Sequence, residues 1–242
     1  MDIYGDLKQE FRKLIESEKR IADEEIAVVS AKTLSAMEAI GKPGRDDFPL
    51  MKGKEFMVEA RFRDAKGQAF TDRPGNYAGS VRSVLSFDLS DNLRRAVFLA
   101  SLNAVMRHKG LVTGTVHCKD TEPAQCATHL VEYIKMTYKD PRVALIGYQP
   151  AMAEKLSKAF PLRMLDLDQD NIGKEKFAIT VEPPDNVADV VSWSSVVLTT
   201  GSTAVNGTIT RFLDEKEVIF YGVTAAGITS LFGWERYCPF SH

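Results

Sequence analysis

The sequence holds 3 cysteines and 2 tryptophans among 242 residues, and almost no net charge. Cys118, Cys126 and Cys238 are an odd number and too few for a disulfide framework, so free thiols in a reducing cytoplasm are expected. The start MDIYGDLKQE lacks the basic-then-apolar pattern of a signal peptide. The longest mostly apolar stretch, Ala96 to Val105, is broken by Ser101 and Asn103 and is about half a membrane span, so no membrane partner is expected. Basic residues number 31 against 33 acidic ones, a net charge of −2. Up to Asp140 the balance is 22 to 21, and beyond it 9 to 12. Neither half carries the single-sign field of a nucleic-acid binder, which excludes that class of partner. Also missing are G-x-G-x-x-G, a P-loop ending in Gly-Lys-Ser/Thr, G-x-S-x-G and H-E-x-x-H. Dinucleotide binding by the usual fingerprint, nucleotide hydrolysis, serine hydrolysis and zincin chemistry therefore have no motif here.

What is present is an ordinary globular mixture, 44% apolar and 26% charged, long enough for one large domain or two small ones. Two patterns follow each other. Helical spacing of Leu7, Phe11, Leu14, Ile15 and Ile21 predicts a helix from Tyr4 to Ile21, and Glu25 to Ser30 reads as a strand. Residues 41–55 read as loop. Phe56 to Phe62 and Gln68 to Thr71 read as a hairpin with one polar face, followed by a short helix near Ser80 to Phe87. A helix capped by Ser90 or Asp91 runs to about His108 and is apolar on several sides, hence buried and central. Another spans about Asp120 to Tyr138. From Pro141 onward the pattern changes. Continuous apolar runs at Arg142 to Gly147 and Leu162 to Leu167 are followed by strand candidates at Phe177 to Val181, Ser195 to Thr199 and Val218 to Tyr221. Helices are expected near Ala151 to Phe160, Asn206 to Leu213 and Ala225 to Phe232. This alternation predicts a parallel, doubly wound, Rossmann-like sheet over residues 141–242, after an α+β domain over 1–140.

Open parallel sheets bind ligands beyond the carboxyl ends of their strands. Three loops there stand out. In GYQPA, Gly147 lets the backbone approach a ligand, with Gln149 and Pro150 at the helix start; a tight strand-to-helix turn uses the same residues. Asp166, 19 residues after Gly147 and followed by Asp168 and Asn171, suits a ribose hydroxyl, or simply a loop cap. TTGSTAVNGT places Gly201, Ser202, Thr203, Asn206, Gly207 and Thr208 at a helix start, where N–H groups and hydroxyls favour an anion or else cap the helix. Gly222 and Thr224 repeat the idea at lower density. In the first half, His117 and Cys118 beside Asp120 form a soft imidazole–thiol pair suited to a transition metal or to acid–base work. Cys126 and His129 read as a buried structural thiol and an exposed ring, and the tail with Cys238 and His242 as frayed.

Taken together, VHCKD…EPAQCA (Val116 to Ala127), IGYQPA (Ile146 to Ala151), TGSTAVNGT (Thr200 to Thr208) and YGVTAAG (Tyr221 to Gly227) resemble the family named "Putative heavy-metal chelation". The resemblance implies an enolase N-terminal-like domain, then a Rossmann-like domain, with the presumed active site between them. His117 and Asp120 would be the catalytic candidates and His117 and Cys118 the metal candidates. The loops named above would hold the ligand.

Three functions stay open. The leading one is an enzyme acting on a small anionic metabolite or metal chelate, linked to heavy-metal chelation or to making a pterin-, flavin- or siderophore-like chelator. A non-catalytic metal- or metallophore-binding protein is the second, and a methyltransferase-like enzyme the third. A transition metal is the candidate cofactor, and a homodimer the candidate assembly.

Overall fold

The computed structural model describes residues 2–16, 32–213 and 217–242. The strand expected at Glu25 to Ser30 and the end of the first helix lie outside those residues.

The amphipathic N-terminal segment forms helix α1 (Ile3–Glu16), which buries Ile3, Leu7, Phe11 and Ile15 along one stripe. A short strand β1 (Lys32–Leu34) and helix α2 (Ala36–Ile40) follow, the helix opened by a capping box between Ser35 and Glu38. β1 pairs antiparallel with β2 (Phe56–Phe62), which pairs antiparallel with β3 (Ala65–Thr71), giving the sheet order β1-β2-β3. The expected polar face of this hairpin is absent. Met57 and Glu59 are buried and only Arg61 is exposed, because the sheet is covered on both sides. One cover is helix α4 (Asn92–His108), capped by Asp91 and entered from the short helix α3 (Val81–Leu85). Every residue of α4 from Ala96 to Met106 is buried. It lies so close to β3 that a Cβ on Gly67 would overlap the backbone of Ala100 and Ala104.

Helix α5 (Glu122–Thr137) leads into a second, seven-stranded sheet. Its strands are β4 (Val143–Ile146), β5 (Leu162–Leu165), β6 (Glu175–Lys176), β7 (Ile179–Glu182), β8 (Val196–Thr200), β9 (Glu217–Tyr221) and β10 (Glu235–Tyr237). They lie in the order β10-β9-β8-β4-β5-β7-β6, all parallel except the β6–β7 pair. Helices α6 (Pro150–Ala159), α7 (Val187–Trp193), α8 (Thr203–Asn206) and α9 (Ala226–Phe232) connect them. The chain starts at β4, winds outward through β5 and β7, then returns to β8 on the other side of β4. That reversal is the switch point of a doubly wound α/β sheet, and it opens a crevice at the carboxyl ends of β4 and β8.

Several local expectations are corrected. The helix foreseen over Asn206 to Leu213 is the single turn α8 and a 3-10 turn, Ile209–Arg211, because Gly207 turns left-handed at φ 83°. α7 and β10 were not anticipated. The tail is not frayed: Val116 and His242 exchange two backbone hydrogen bonds of 2.8 Å, so the last residues pair with the segment before His117. Among the described residues no helix is long and apolar enough to cross a membrane.

The largest core cluster spans both sheets' surroundings, joining Leu7, Phe11, Phe62 and Phe98 with Val205, Phe220 and Ile228. A second joins Met57, Cys126, Leu130 and Ile134 to Leu145, Met152 and Leu156. Asn103, fully buried on α4, ties them further. Its Nδ2 donates to the carbonyls of Gln68 and Val223, each at 3.0 Å, and its Oδ1 accepts from Gly227 N–H at 2.7 Å.

Candidate functional site

The switch-point crevice is partly roofed. The ends of β2 and β3 and the loop before β2 stand over it, leaving a cavity of about 420 Å3 between the sheets. From the parallel sheet come the loops after β4, β5, β8 and β9. From the other side come Phe48, Leu50, Lys54, Glu55, Phe70 and Asp72, and at one end His117, Cys118, Cys126 and Cys238.

The β4 loop is shaped by close packing. Gly147 has φ 90°, and a Cβ there would come within 2.7 Å of Thr200 Cγ2. Its carbonyl accepts a 2.9 Å hydrogen bond from the Tyr221 hydroxyl, which reaches across from β9. Gln149 lines the cavity and caps α6, accepting from Met152 N–H. In the β5 loop, both carboxylate oxygens of Asp166 accept backbone N–H groups, from Tyr148 and from Asp168, each at 2.6 Å. Burial raises its pKa, and those hydrogen bonds oppose the rise. With both oxygens already engaged, Asp166 organises two loops, as the capping reading has it. Asp168 accepts from Asp170 N–H at 2.9 Å, and Lys54 Nζ crosses the cavity mouth to Asp170 at 2.5 Å and Asp168 at 3.6 Å.

In the β8 loop, Thr203 donates to the Thr200 carbonyl at 2.8 Å. Asn206 Oδ1 accepts both the N–H and the hydroxyl of Thr208, at 3.1 and 2.7 Å. The loop thus satisfies much of its own polarity, and a four-residue helix offers little dipole. Thr224 lines the cavity too, but its hydroxyl accepts from Phe70 N–H at 2.9 Å, joining β3 to the β9 loop.

Of the residues singled out in sequence, the structure brings to this cavity His117, Cys118, Gly147, Gln149, Asp166, Asp168, Asn171, Ser202, Thr203, Asn206, Thr208, Gly222 and Thr224. Asp120, Pro150, Gly201 and Gly207 do not line it. Asp120 is exposed at φ 55°, and its carboxylate accepts from Lys42 N–H at 2.8 Å, which pins the turn after α2. Gly201 is packed under Ala225, where no Cβ fits.

His117 is half-buried, with Nδ1 donating to the Cys118 carbonyl at 2.6 Å and its own N–H donating to Gln68 Oε1 at 2.8 Å. Burial lowers its pKa, so it is neutral at pH 7 with Nε2 as the acceptor nitrogen. Burial holds the Cys118 thiol far above its ordinary range and pushes Cys126 up to about 12, so both stay protonated. A metal ion would have to displace those protons on binding. Among the described residues no group of three or more His, Cys, Asp or Glu is placed to hold a metal ion. The described residues therefore do not fit a bare metal ion.

Tyr148 falls within the GYQPA loop that stood out, but nothing in the local pattern marks Glu55, Asp72 or Tyr221 as cavity residues. Glu55 stands one residue before β2, in a stretch read as loop, and no local pattern distinguishes it from the surface acids around it. Only the placement of the small sheet over the parallel one turns it inward. Burial, reinforced by Asp166, Asp72 and Asp168, pushes its pKa up to about 7.

No curated protein matches the chain. Two crystal structures of DUF364-family proteins of unknown function resemble it. The one from Desulfitobacterium hafniense is 15% identical, covering 73% of this chain and 72% of that one with a TM-score of 0.50. The one from Pyrococcus horikoshii is also 15% identical, covering 71% and 69% with a TM-score of 0.47. At this identity the first likeness speaks for the α/β fold alone. The DUF364 family model, described as "Putative heavy-metal chelation", matches residues 130–233, from the middle of α5 to the end of α9. Over that stretch, less than half of its length, the chain is similar to the DUF364 family.

Proposed function

We propose that the chain is an enzyme that takes a small polar metabolite, rather than a bare metal ion, into the cavity between its two sheets. The observation that carries this reading is the cavity formed where the small sheet and the loop before β2 stand over the switch-point crevice. A cavity of about 420 Å3 matches a small organic molecule, and apolar walls with a few convergent polar groups are what such sites share. His117, neutral with a free acceptor nitrogen, is the candidate base, and Arg211 with the Ser202 to Thr208 loop is the candidate anchor for an anionic end. A link to metal handling then runs through a chelate or its precursor, since among the described residues no three ligands converge on a bare ion.

The test is a thermal-shift panel of amino-, carboxylate- and phosphate-bearing metabolites on the wild-type chain and on Ser202→Phe, which fills the cavity from its wall. The expected result is a wild-type Tm increase by at least one metabolite class that Ser202→Phe loses while its circular dichroism is unchanged. Equal shifts in both proteins would place the ligand elsewhere.

A further inference from the structure

We propose that Glu55 is the recognition point for a protonated nitrogen group, an amine or an amidine, on the molecule that occupies the cavity; this rests on the cavity reading above. The earlier expectation of an anionic ligand says nothing about such a group, and the β8 loop that suggested the anion lies on a different wall.

The Glu55 carboxyl stands among acidic groups. It lines the cavity, and the charges that face it are Asp72 at the end of β3 and Asp166 and Asp168 after β5; the Tyr221 hydroxyl approaches from β9. All three charges are acidic. Lys54, its neighbour in the chain, is turned away to Asp170 and Asp168. Arg45, on the loop before β2, is held by Asp47 and Glu154. Among the described residues no hydrogen bond or ion pair reaches Glu55. Elsewhere in the cavity the polar groups are partnered: Asp166 by two N–H groups, Thr224 by Phe70, Thr203 by Thr200. Glu55 is the exception among these.

Glu55 is half-buried, its carboxyl lines the cavity, and a cavity carboxyl that no protein group donates to is best complemented by a donor on the ligand. Here the protein supplies no donor and adds three carboxylates of the same sign, so the complement must arrive with the ligand. A protonated amidine offers two parallel N–H donors to one carboxylate, and an amine offers a compact charge. Leu50, Phe70 and Tyr148 give the flat, apolar walls that a ring carrying such a group would use. The field of Asp72, Asp166 and Asp168 favours the cation and disfavours a carboxylate at this end.

The sign of the pH effect follows. The cation binds ionised Glu55, so protons compete with it below neutrality, and affinity rises with pH until Glu55 is fully ionised. With its carboxyl at about 7 in the free protein, binding at pH 8 should be about tenfold tighter than at pH 6.

The experiment is a calorimetric or NMR titration of the full chain, wild type and Glu55→Gln, with benzamidine, benzamide and benzoate at both pH values. Benzamidine stays protonated throughout, so any pH dependence belongs to the protein. The expected result is that wild type prefers benzamidine, with the tenfold gain at the higher pH, and that Glu55→Gln loses at least about tenfold in affinity and the pH dependence with it. Equal binding to Glu55→Gln, or pH-independent binding to wild type, would overturn the assignment. The wild-type pH series stands without the variant. Benzoate bound in preference to benzamidine overturns the assignment and leaves the cavity reading intact. Absence of binding by all three overturns the assignment too, whereas the cavity reading falls only with the Ser202→Phe experiment.

Discussion

Glu55 and Cys118 share one physical cause. Cys118 is buried and Glu55 half-buried, and each is pushed toward its uncharged form. For Glu55 this has a consequence for stability. Its carboxyl titrates near 7 in the folded chain and in the ordinary carboxylate range when unfolded, so folding loses stability as pH rises through about 7. Glu55→Gln removes that loss. The variant should match wild type in urea unfolding at about pH 4 and exceed it at pH 8, by up to about 3 kcal/mol. A variant less stable than wild type at pH 8 would mean that Glu55 has a stabilising partner. For the thiols, Cys118 and Cys126 should resist iodoacetamide at pH 7.5 in the folded protein, reacting at least about 100-fold more slowly than in urea. Mass spectrometry of the labelled peptides reads this directly, and rapid labelling of Cys118 would restore it as a thiolate ligand. The candidacy of His117 and Cys118 was legible from residue type alone. Their protonation was not, because burial comes from segments far away in the chain.

Among the elements, α4 carries the most consequence. Its sequence already reads as apolar on several sides, and it is buried from Ala96 to Met106. What the pattern could not say is that Asn103 would be the polar clamp between β3 and the start of α9. Asn103→Leu leaves two carbonyls and one N–H without their partner in a dry core. It should cost about 3 kcal/mol or more in urea unfolding. A cost below about 1 kcal/mol would show that these groups find other donors. Gly67→Ala belongs at the same scale. The added methyl group meets helix backbone that has no rotamer to yield, so the β3–α4 packing must open and Tm must fall sharply. By contrast, α8 was foreseen as a longer helix starting later, and its shortness is local: Gly207 ends it after one turn.

At the scale of the whole molecule, the change of pattern near Pro141 marks a change of topology. The core clusters do not divide there. Val205, Phe220 and Ile228 pack with Leu7, Phe62 and Phe98, while Leu130 and Ile134 of α5 cover β4 and α6. The expected outcome is one cooperative unfolding transition for the full chain, with coincident near- and far-ultraviolet signals. Residues 141–242 expressed alone should lack near-ultraviolet structure, having lost α5 and α4. Two resolved transitions, or a folded fragment, would show that the halves are independently stable.

The sequence by itself determined the helices α3 to α6 and α9, the strands β4, β5, β7, β8 and β9 in their order, the parallel sheet, the central burial of α4, and most of the loops that line the cavity. It could do so because those signals are local: apolar periodicity, continuous buried runs, capping residues, and glycines where strands turn into helices. Which loop groups stay free was decided by tertiary structure. So were the pairing of the tail with Val116, the partial roofing of the crevice by the small sheet, and the inward turn of Glu55. These depend on contacts between residues more than 100 positions apart, such as Asn103 with Val223 and Phe70 with Thr224, which leave no periodic trace in the chain.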